Sequence, residues 1–231
     1  MGCNGDPNHY ACEKQLLSFF NQVITERTYK QYCGVARALD LIGERWALLV
    51  VRELALGPKR FTDLRQGLPG IATNVLSLRL RQLERDGVVT RRLLPPPAPA
   101  QVYELTDLGR ELVPIMLSLG RWGASTMGER SPEQAIRGEW LALALKAFFD
   151  AEAAGGLSAT IALDLDGAPF TLYLEEGRLD VATGRDGPAD LTISTGTELF
   201  LQFLAGAPVP VRAEGDRELL NRLPELFPLA G

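Results

Sequence analysis

The order of helical and extended segments in the first half of the chain restricts the fold more than any other feature of this sequence. Apolar residues recur at helical spacing over residues 35–56, a short helix is predicted over 62–67, and a third helix lies within 70–87. A Gly-Pro pair follows the first segment, and a Leu-Pro-Gly turn separates the other two. Gly87 is placed to end the third helix in the left-handed conformation. The sequence therefore predicts three helices, the last two joined by a tight turn.

A predicted β-hairpin follows the third helix. Residues 88–94 and 101–105 are the expected strands, and only proline and alanine stand between them. Another helix is expected to open at Thr106-Asp107. This order of elements is that of a winged helix-turn-helix, in which the third helix enters the DNA major groove.

The third helix has one polar side that suits contact with DNA. With Leu76 at the centre of the apolar face, Leu80 and Leu83 share that face, whereas Asn74 and Arg81 lie opposite. Amide and guanidinium groups read base edges, and arginines on flanking elements bind phosphates. A solvated surface helix would show the same residue types, but the position between a tight turn and a hairpin favours DNA contact. The candidate DNA-binding residues are Arg60, Thr73, Asn74, Ser77, Leu78, Arg81, Arg91 and Arg92.

Charge is distributed unevenly along the chain. Residues up to Arg130 contain 17 Lys and Arg against 13 Asp and Glu, a net charge of +4, and the remainder contains 7 against 16, a net charge of −9. Together these give the −5 of the whole chain, so the acidic average conceals a basic first half suited to nucleic acid. With 231 residues, 46% of them apolar, the chain is long enough for two globular domains.

Residues 32–123 resemble the HxlR-type family of bacterial winged-helix regulators. The resemblance rests on YCGVARALDLIGERWALLVVRELALGPKRFTDLRQGLPGIATNVLSLRLRQLERDGVVTRR and on VYELTDLGRELVPIMLSLGRWG. It implies a double-stranded DNA partner and a homodimer in which the first and last helices of the domain pair across a two-fold axis. Core packing within the domain is the alternative for each candidate interface residue. These candidates are Leu112, Ile115, Leu119 and Trp122.

Two positions depart from the family pattern. Ala72 stands where the family usually has serine, so Thr73 is expected to cap the third helix instead. The hairpin tip has proline and alanine where the family often has an arginine near residues 100–101. We therefore expect a weaker contribution of the wing to DNA binding.

All three cysteines lie within the first 33 residues, and His9 is the only histidine. Cys33 matches a cysteine that serves some HxlR-type regulators as a redox sensor; a small buried thiol is the alternative. Cys3, His9 and Cys12 have no fourth ligand nearby, so we expect no metal site and no other cofactor. The chain has neither a Gly-rich phosphate loop nor a histidine-based triad, which argues against an enzyme.

The second half of the chain changes from helical spacing to alternation. A helix is predicted over residues 131–154, and apolar residues then recur at every second position. Asp166-Gly167 and Glu176-Gly177 are expected hairpin turns, and Val209 and Val211 suggest a last strand. The expected domain is α+β, an antiparallel sheet with helices on one face.

Residues 137–228 resemble the sterol-carrier-protein type of domain in the segments GRLDVATGRDGPADLTISTGTELFLQFLAG and EGDRELLNRLPELFP. Such folds enclose an apolar tunnel, so the resemblance implies an apolar small-molecule effector. A fully packed core is the alternative for these side chains. The candidate lining residues are Phe170, Leu172, Leu191, Ile193, Phe200, Phe203, Leu204 and Phe227.

These observations combine in one hypothesis about domains and function. We expect a poorly ordered extension over residues 1–24, a winged helix-turn-helix domain over 25–127, a linker over 128–136, and a sterol-carrier-like domain over 137–231. The expected protein is a dimeric, sequence-specific DNA-binding regulator that senses an apolar molecule. One alternative is a carrier of hydrophobic molecules whose first half only dimerises or contacts protein, and another is an adaptor whose second domain only contacts protein. No apolar run reaches the length of a membrane span, and a cytoplasmic location is expected.

Overall fold

The computed structural model describes residues 28–95, 99–128, 130–131 and 133–229. The chain divides into two compact units, residues 1–45 and residues 46–231. The predicted N-terminal extension, with its two cysteines and its histidine, lies outside the described residues.

The first helical segment differs from the prediction. Helix α1 spans Gly34–Ile42, and helix α2 spans Ala47–Leu54, so the prediction of one helix over residues 35–56 is wrong. Trp46 has φ 78°, a left-handed conformation that a continuous right-handed helix excludes. The segment is therefore two helices, with Trp46 directly before the second.

The remaining elements of the first half follow the predicted order. After α2 come α3 (Phe61–Gly67), α4 (Thr73–Arg85), strands β1 (Val89–Leu93) and β2 (Gln101–Leu105), and α5 (Asp107–Ala124). The strands pair antiparallel, with Val89 opposite Leu105, and both of these side chains are buried. Because the hairpin follows the helix that succeeds the tight turn, the winged helix-turn-helix fold is confirmed.

The helix predicted over residues 131–154 forms only in part. Ser131 and Gln134 exchange the hydrogen bonds of a helix start, but these close a single turn. Arg137 then has an extended backbone, and α6 begins after it as Gly138–Phe148. A second break precedes the short helix α7 (Ala151–Ala154).

A five-stranded sheet forms the centre of the second half. Its elements are β3 (Ala159–Leu165), β4 (Ala168–Glu175), β5 (Arg178–Thr183), β6 (Leu191–Thr195), α8 (Thr197–Leu204), β7 (Arg212–Gly215) and α9 (Arg217–Leu226). The strand order is β5-β4-β3-β6-β7. Every pair is antiparallel except β3 with β6, which is parallel. The α+β class is therefore confirmed, with one parallel pair that the sequence analysis did not predict.

The turns of this sheet match the prediction, whereas the last strand does not. Asp166 and Gly167 both have positive φ, as do Glu176 and Gly177, the pattern of two-residue type I′ hairpin turns. Strand β7 begins at Arg212, so the strand expected around Val209 and Val211 starts later than predicted. Among the described residues, no helix is both long enough and apolar enough to cross a membrane.

Candidate nucleic-acid interface

Helix α4 presents its polar side to solvent. Leu76, Leu80 and Leu83 are almost fully buried, which fixes the rotation of the helix about its axis. Asn74 and Arg81 are exposed on the other side. Of the other predicted contact residues on this helix, Thr73 is exposed, and Ser77 and Leu78 are half-buried. The structure thus brings the predicted base-reading residues of α4 to one accessible surface.

The two ends of α4 are closed differently. At the start, Ala72 occupies the N-cap position, and no described side chain caps it. Thr73 is already in the first helical position, so the prediction that it caps the helix is wrong. At the other end, the Val88 amide donates to Leu83 O and the Gly87 amide to Glu84 O, the hydrogen bonds of a Schellman motif. The predicted role of Gly87 is confirmed, since its φ is 74°.

Thr106 connects three elements of the site. Its hydroxyl accepts a hydrogen bond from the Gly109 amide at 3.0 Å, which caps α5, and donates to Gly87 O at 2.5 Å. The end of α4, the end of β2 and the start of α5 therefore meet at one side chain. This contact holds the wing beside α4.

The arginines of the wing already have partners within the domain. Arg91 Nη2 lies 2.7 Å from Glu84 Oε2, and the Arg91 guanidinium lies over the Tyr103 ring at 5.6 Å. The hydrogen bond to Glu84 raises the pKa of Arg91. Arg92 Nε lies 3.0 Å from Glu104 Oε2. Both guanidinium groups would have to exchange a carboxylate for a phosphate to contact DNA.

Two other predicted cationic residues are more accessible. Arg60 is exposed at the start of α3, where its amide donates to Asp63 Oδ2 at 3.1 Å. Arg81 is exposed and has no hydrogen-bond or ion-pair partner within the described ranges. Arg79, two residues earlier on the flank of α4, is instead buried and donates to Gln82 Oε1 at 2.6 Å. The free guanidinium at the centre of the polar side is therefore that of Arg81.

Helix α5 carries an apolar surface that the described residues leave exposed. The exposed fraction is 59% for Ile115, 45% for Leu119 and 68% for Trp122, and Leu112 is half-buried. Ile115, Leu119 and Trp122 therefore do not serve mainly as core residues within the described part of the domain. An interface with another molecule stays a prediction for all four.

Cys33 is exposed directly before α1. The backbone amides of Ala36 and Val35, at the start of α1, lower the pKa of its thiol because they favour the charged form, although Cys33 makes no side-chain capping hydrogen bond. The alternative of a small buried thiol is wrong. The start of α1 therefore supplies the groups that favour the thiolate.

The predicted lining residues of the C-terminal domain lie in its packed core. Phe203 is partly buried and packs against this core, and the other seven residues are buried. These seven are Phe170, Leu172, Leu191, Ile193, Phe200, Leu204 and Phe227. An open surface depression of about 420 Å³ lies elsewhere, beside the end of α6. Its lining residues are Arg121, Ala147, Phe148, Phe149, Asp150, Ala151, Glu152 and Pro228. The structure shows packing for the eight predicted residues, and their contact with a ligand stays a prediction.

Sequence reasoning missed one polar cluster of the DNA-binding half. Glu53 of α2 is 2% exposed and accepts hydrogen bonds from Arg52, Lys59 and Trp140. Its place on the apolar α2 was a signal, because a carboxylate on a buried helix face requires donors. The identity of Trp140 as a donor had no local signal, since it stands 87 positions later.

The fold and the exposed side of α4 define a winged helix-turn-helix protein of the transcriptional-regulator class. The family model described as HxlR-like helix-turn-helix matches residues 41–131, and the model of the SCP-2 sterol transfer family matches residues 141–227. The chain belongs to the HxlR-like helix-turn-helix family and carries a C-terminal SCP-2 domain.

Relatives with printed names agree with this assignment. An uncharacterized HTH-type transcriptional regulator of Synechocystis, sll1512, is 38% identical over 101 residues, which cover 44% of this chain and 75% of the relative. YdeP of Bacillus subtilis, with the same description, is 41% identical over 91 residues, 39% of this chain and 71% of the relative. Among solved structures, the oxidized form of the redox regulator HypR is 38% identical, with a TM-score of 0.39, and the match covers 42% of this chain and 100% of that chain.

Proposed function

We propose that this chain is a sequence-specific DNA-binding regulator that reads its operator with helix α4. The exposed side of α4 between the tight turn and the hairpin carries this proposal. Asn74 suits a bidentate contact with adenine, and Arg81 suits one with guanine. Ser77, Thr73 and Leu78 border this pair and are proposed to refine the choice of bases.

Phosphate contacts complete the proposed interface. Arg60 is exposed at the entry of α3 and is proposed to set the position of the protein on the duplex. Arg91 and Arg92 are proposed to contribute less, because each is paired with a glutamate in the free protein. The uncharged residues Pro95 and Pro99 beside the wing tip agree with a weak contribution of the wing.

DNA binding is tested with a matched pair of double variants. An operator is first selected from random duplexes with the full chain, and dissociation constants are measured over a salt series. Asn74→Ala with Arg81→Ala is expected to weaken operator binding at least about 30-fold, since each base contact contributes about 1–3 kcal/mol of discrimination. The control, Asn221→Ala with Arg217→Ala, makes the same changes on exposed positions of α9.

Two results would contradict the proposed reading of DNA. The first is an equal loss of affinity for the operator and for a random duplex, since loss of base contacts must reduce the preference between them. The second is the absence of any binding by the unaltered chain at low salt.

The proposed regulator is a homodimer built from the apolar side of α5. The support is the exposure of Ile115, Leu119 and Trp122 on one helix, together with the HxlR-like family match. Ile115→Glu is expected to convert the dimer to a monomer in sedimentation equilibrium, because it places a charge in an apolar contact. Leu199→Glu, a matched change at an exposed leucine of α8, is expected to leave the dimer intact. A dimer that survives Ile115→Glu would exclude this interface.

The domain limits and the binding of an apolar effector by the C-terminal domain are part of the same proposal. We propose a DNA-binding domain over residues 25–127, a linker over 128–136 and a sensor domain over 137–231, in a cytoplasmic protein. The match to the SCP-2 sterol transfer family over residues 141–227 supports an apolar small-molecule effector. Native mass spectrometry of the purified chain is expected to detect a bound apolar molecule. A ligand-free protein whose operator affinity ignores long-chain fatty acids would favour the adaptor alternative.

Cys33 is proposed as a second, redox input to the same regulator. Its exposure and the lowered pKa of its thiol support reaction with oxidants. Operator affinity that is unchanged after treatment with hydrogen peroxide would contradict this role.

A further inference from the structure

A buried carboxylate connects the DNA-binding half to the C-terminal half. The Glu53 side chain is fully buried. Its Oε1 accepts hydrogen bonds from Arg52 Nη2 at 2.9 Å and from Trp140 Nε1 at 2.8 Å, and its Oε2 accepts one from Lys59 Nζ at 2.8 Å. We name Glu53, Arg52, Lys59 and Trp140 the Glu53 cluster.

Trp140 serves this cluster in two ways. Its indole N–H satisfies the carboxylate, and its ring covers Arg52, whose guanidinium carbon lies 4.1 Å from the ring centroid. Burial lowers the pKa of Arg52, and the charge of Glu53 opposes this effect. Because a buried carboxylate that loses a donor is destabilised, the position of Trp140 affects the whole cluster.

The Glu53 cluster also contacts the end of α3. Arg52 Nη2 donates to Gly67 O at 3.3 Å. A Cβ atom at Gly67 would lie 2.1 Å from Glu53 Oε2, so the backbone of α3 rests directly on the carboxylate. Any side chain at this position would require the Glu53 carboxylate to move. A displacement of the carboxylate would therefore displace the end of α3.

A second residue of the C-terminal half reaches the same place. Arg137, which precedes α6, donates through Nη1 to Gln66 O at 3.3 Å and through Nη2 to Glu139 Oε1 at 3.2 Å. Partial burial opposes ionisation of Glu139, but its own backbone amide and Arg137 lower its pKa. Gln66, near the end of α3, thus contacts Arg137 of the C-terminal half. Gly67, the last residue of α3, contacts Arg52 and Glu53, which Trp140 of the C-terminal half holds.

The end of α3 is linked rigidly to the start of α4. Five residues separate the two helices, and two of them, Leu68 and Ile71, are buried. The Ile71 amide donates to Leu68 O at 3.1 Å, which closes the turn. Because this turn is closed and partly buried, we expect a shift of Gly67 to move the start of α4 as well.

We infer that Trp140 of the C-terminal half is a positioning residue for DNA reading, because it holds the Glu53 carboxylate against the end of α3, from which the turn leads into α4. This inference rests on the proposed reading of DNA by α4. The C-terminal half thereby contributes to operator specificity without contacting DNA. Base contacts depend on the exact placement of α4, whereas phosphate contacts tolerate small shifts.

The test compares specificity with stability. Trp140→Phe keeps one aromatic ring but removes the N–H donor together with the five-membered ring of the indole. In the full chain, it is expected to weaken binding to the selected operator about tenfold, the size of one hydrogen bond to a charged group. Binding to a random duplex at the same salt concentration is expected to change less than about twofold. Circular dichroism checks that the variant is folded.

The matched control lies on the same helix. Lys146→Met removes an ion pair with Asp180 that stays within the C-terminal half, 2.8 Å in length. It is expected to leave the ratio of operator to random-duplex affinity unchanged. A second variant, Arg137→Met, removes the contact with Gln66 O and is expected to lower that ratio about threefold. It keeps the inference testable if Trp140→Phe does not fold.

The outcomes separate this inference from the proposed function. An unaltered chain that prefers its operator, together with unchanged ratios for Trp140→Phe and Arg137→Met, would overturn the inference alone. An equal loss of affinity for both duplexes would also overturn it, since that result indicates general destabilisation. An unaltered chain without operator preference would overturn both.

Discussion

We predict that removal of the ion pair between Arg91 and Glu84 strengthens binding to DNA. Arg91 lies on β1 of the wing and Glu84 on α4, with N–O distance 2.7 Å. Glu84→Gln removes the charge that holds Arg91 and keeps the size of the side chain. Because the freed guanidinium no longer exchanges a carboxylate for a phosphate, we expect tighter binding to DNA of any sequence.

The magnitude follows from the exposure of the pair. The exposed side-chain fractions are 38% for Arg91 and 33% for Glu84, so the pair is worth about 0.2–1 kcal/mol, as solvent-exposed pairs are. This range corresponds to an increase in affinity of about 1.4- to 5-fold. Arg91→Ala is expected to make the dependence of log K on log salt less steep by about 0.9, the loss of one phosphate contact.

Fluorescence anisotropy with a random duplex from about 50 to 300 mM salt measures both quantities, a range over which such contacts respond strongly. Glu225→Gln is the control, because it makes the same change in net charge at an exposed position of α9. It is expected to bind as the unaltered chain does. If Glu84→Gln binds no tighter and Arg91→Ala leaves the salt dependence unchanged, Arg91 does not reach phosphate and the reasoning is wrong.

Three further predictions concern single side chains. With the other two cysteines replaced by serine, the rate of Cys33 alkylation is followed by mass spectrometry as a function of pH. Its midpoint is expected below the ordinary thiol pKa of 9.0, and a midpoint at or above that value would contradict the prediction. Thr106→Val removes the cap of α5 and should lower the free energy of urea unfolding by about 1 kcal/mol; an unchanged midpoint would contradict this. The hydrogen bond from Lys146 lowers the pKa of Asp180, so its stabilisation is present above the ordinary carboxyl pKa and is lost as pH falls through the lowered value. Lys146→Met should therefore cost less than about 1 kcal/mol at neutral pH and nothing in strong acid, and a constant difference would refute the assignment.

The parts of the fold with local causes could be predicted from the sequence. Leu76, Leu80 and Leu83 recur at helical spacing, and all three are buried. Gly87 and Gly167 stand where the backbone has positive φ, which glycine adopts without strain. In these cases the residue itself determines the structure, so no distant contact had to be known.

The parts with distant causes could not be predicted. Tryptophan has no local preference for the left-handed conformation that Trp46 adopts between α1 and α2. Ser131 forms the hydrogen bonds of a helix start, but the extended backbone at Arg137 separates this turn from α6. The donor from Trp140 to Glu53 comes from 87 positions away. Residue spacing carries no information on such pairs.

The candidate interface shows the same division. The exposure of Asn74 and Arg81 followed from the wheel of α4, because the apolar face of the helix fixes the opposite side. The roles expected of Arg91 and Arg92 required their neighbours, Glu84 and Glu104, which the hairpin brings beside them. Charge counted along the sequence could not show that these cations are already paired.

The parallel pairing of β3 with β6 predicts an order of assembly for the C-terminal domain. Strands β3, β4 and β5 are joined by two-residue turns, and such hairpins form within microseconds. We expect strand β6 to join later, because its pairing brings Ile161 to Leu191, 30 positions away. Phe200 and Phe227 lie beyond β6, and both are buried in the core. We therefore expect the apolar centre to close last, which would make folding the stage at which the proposed apolar effector is most easily enclosed.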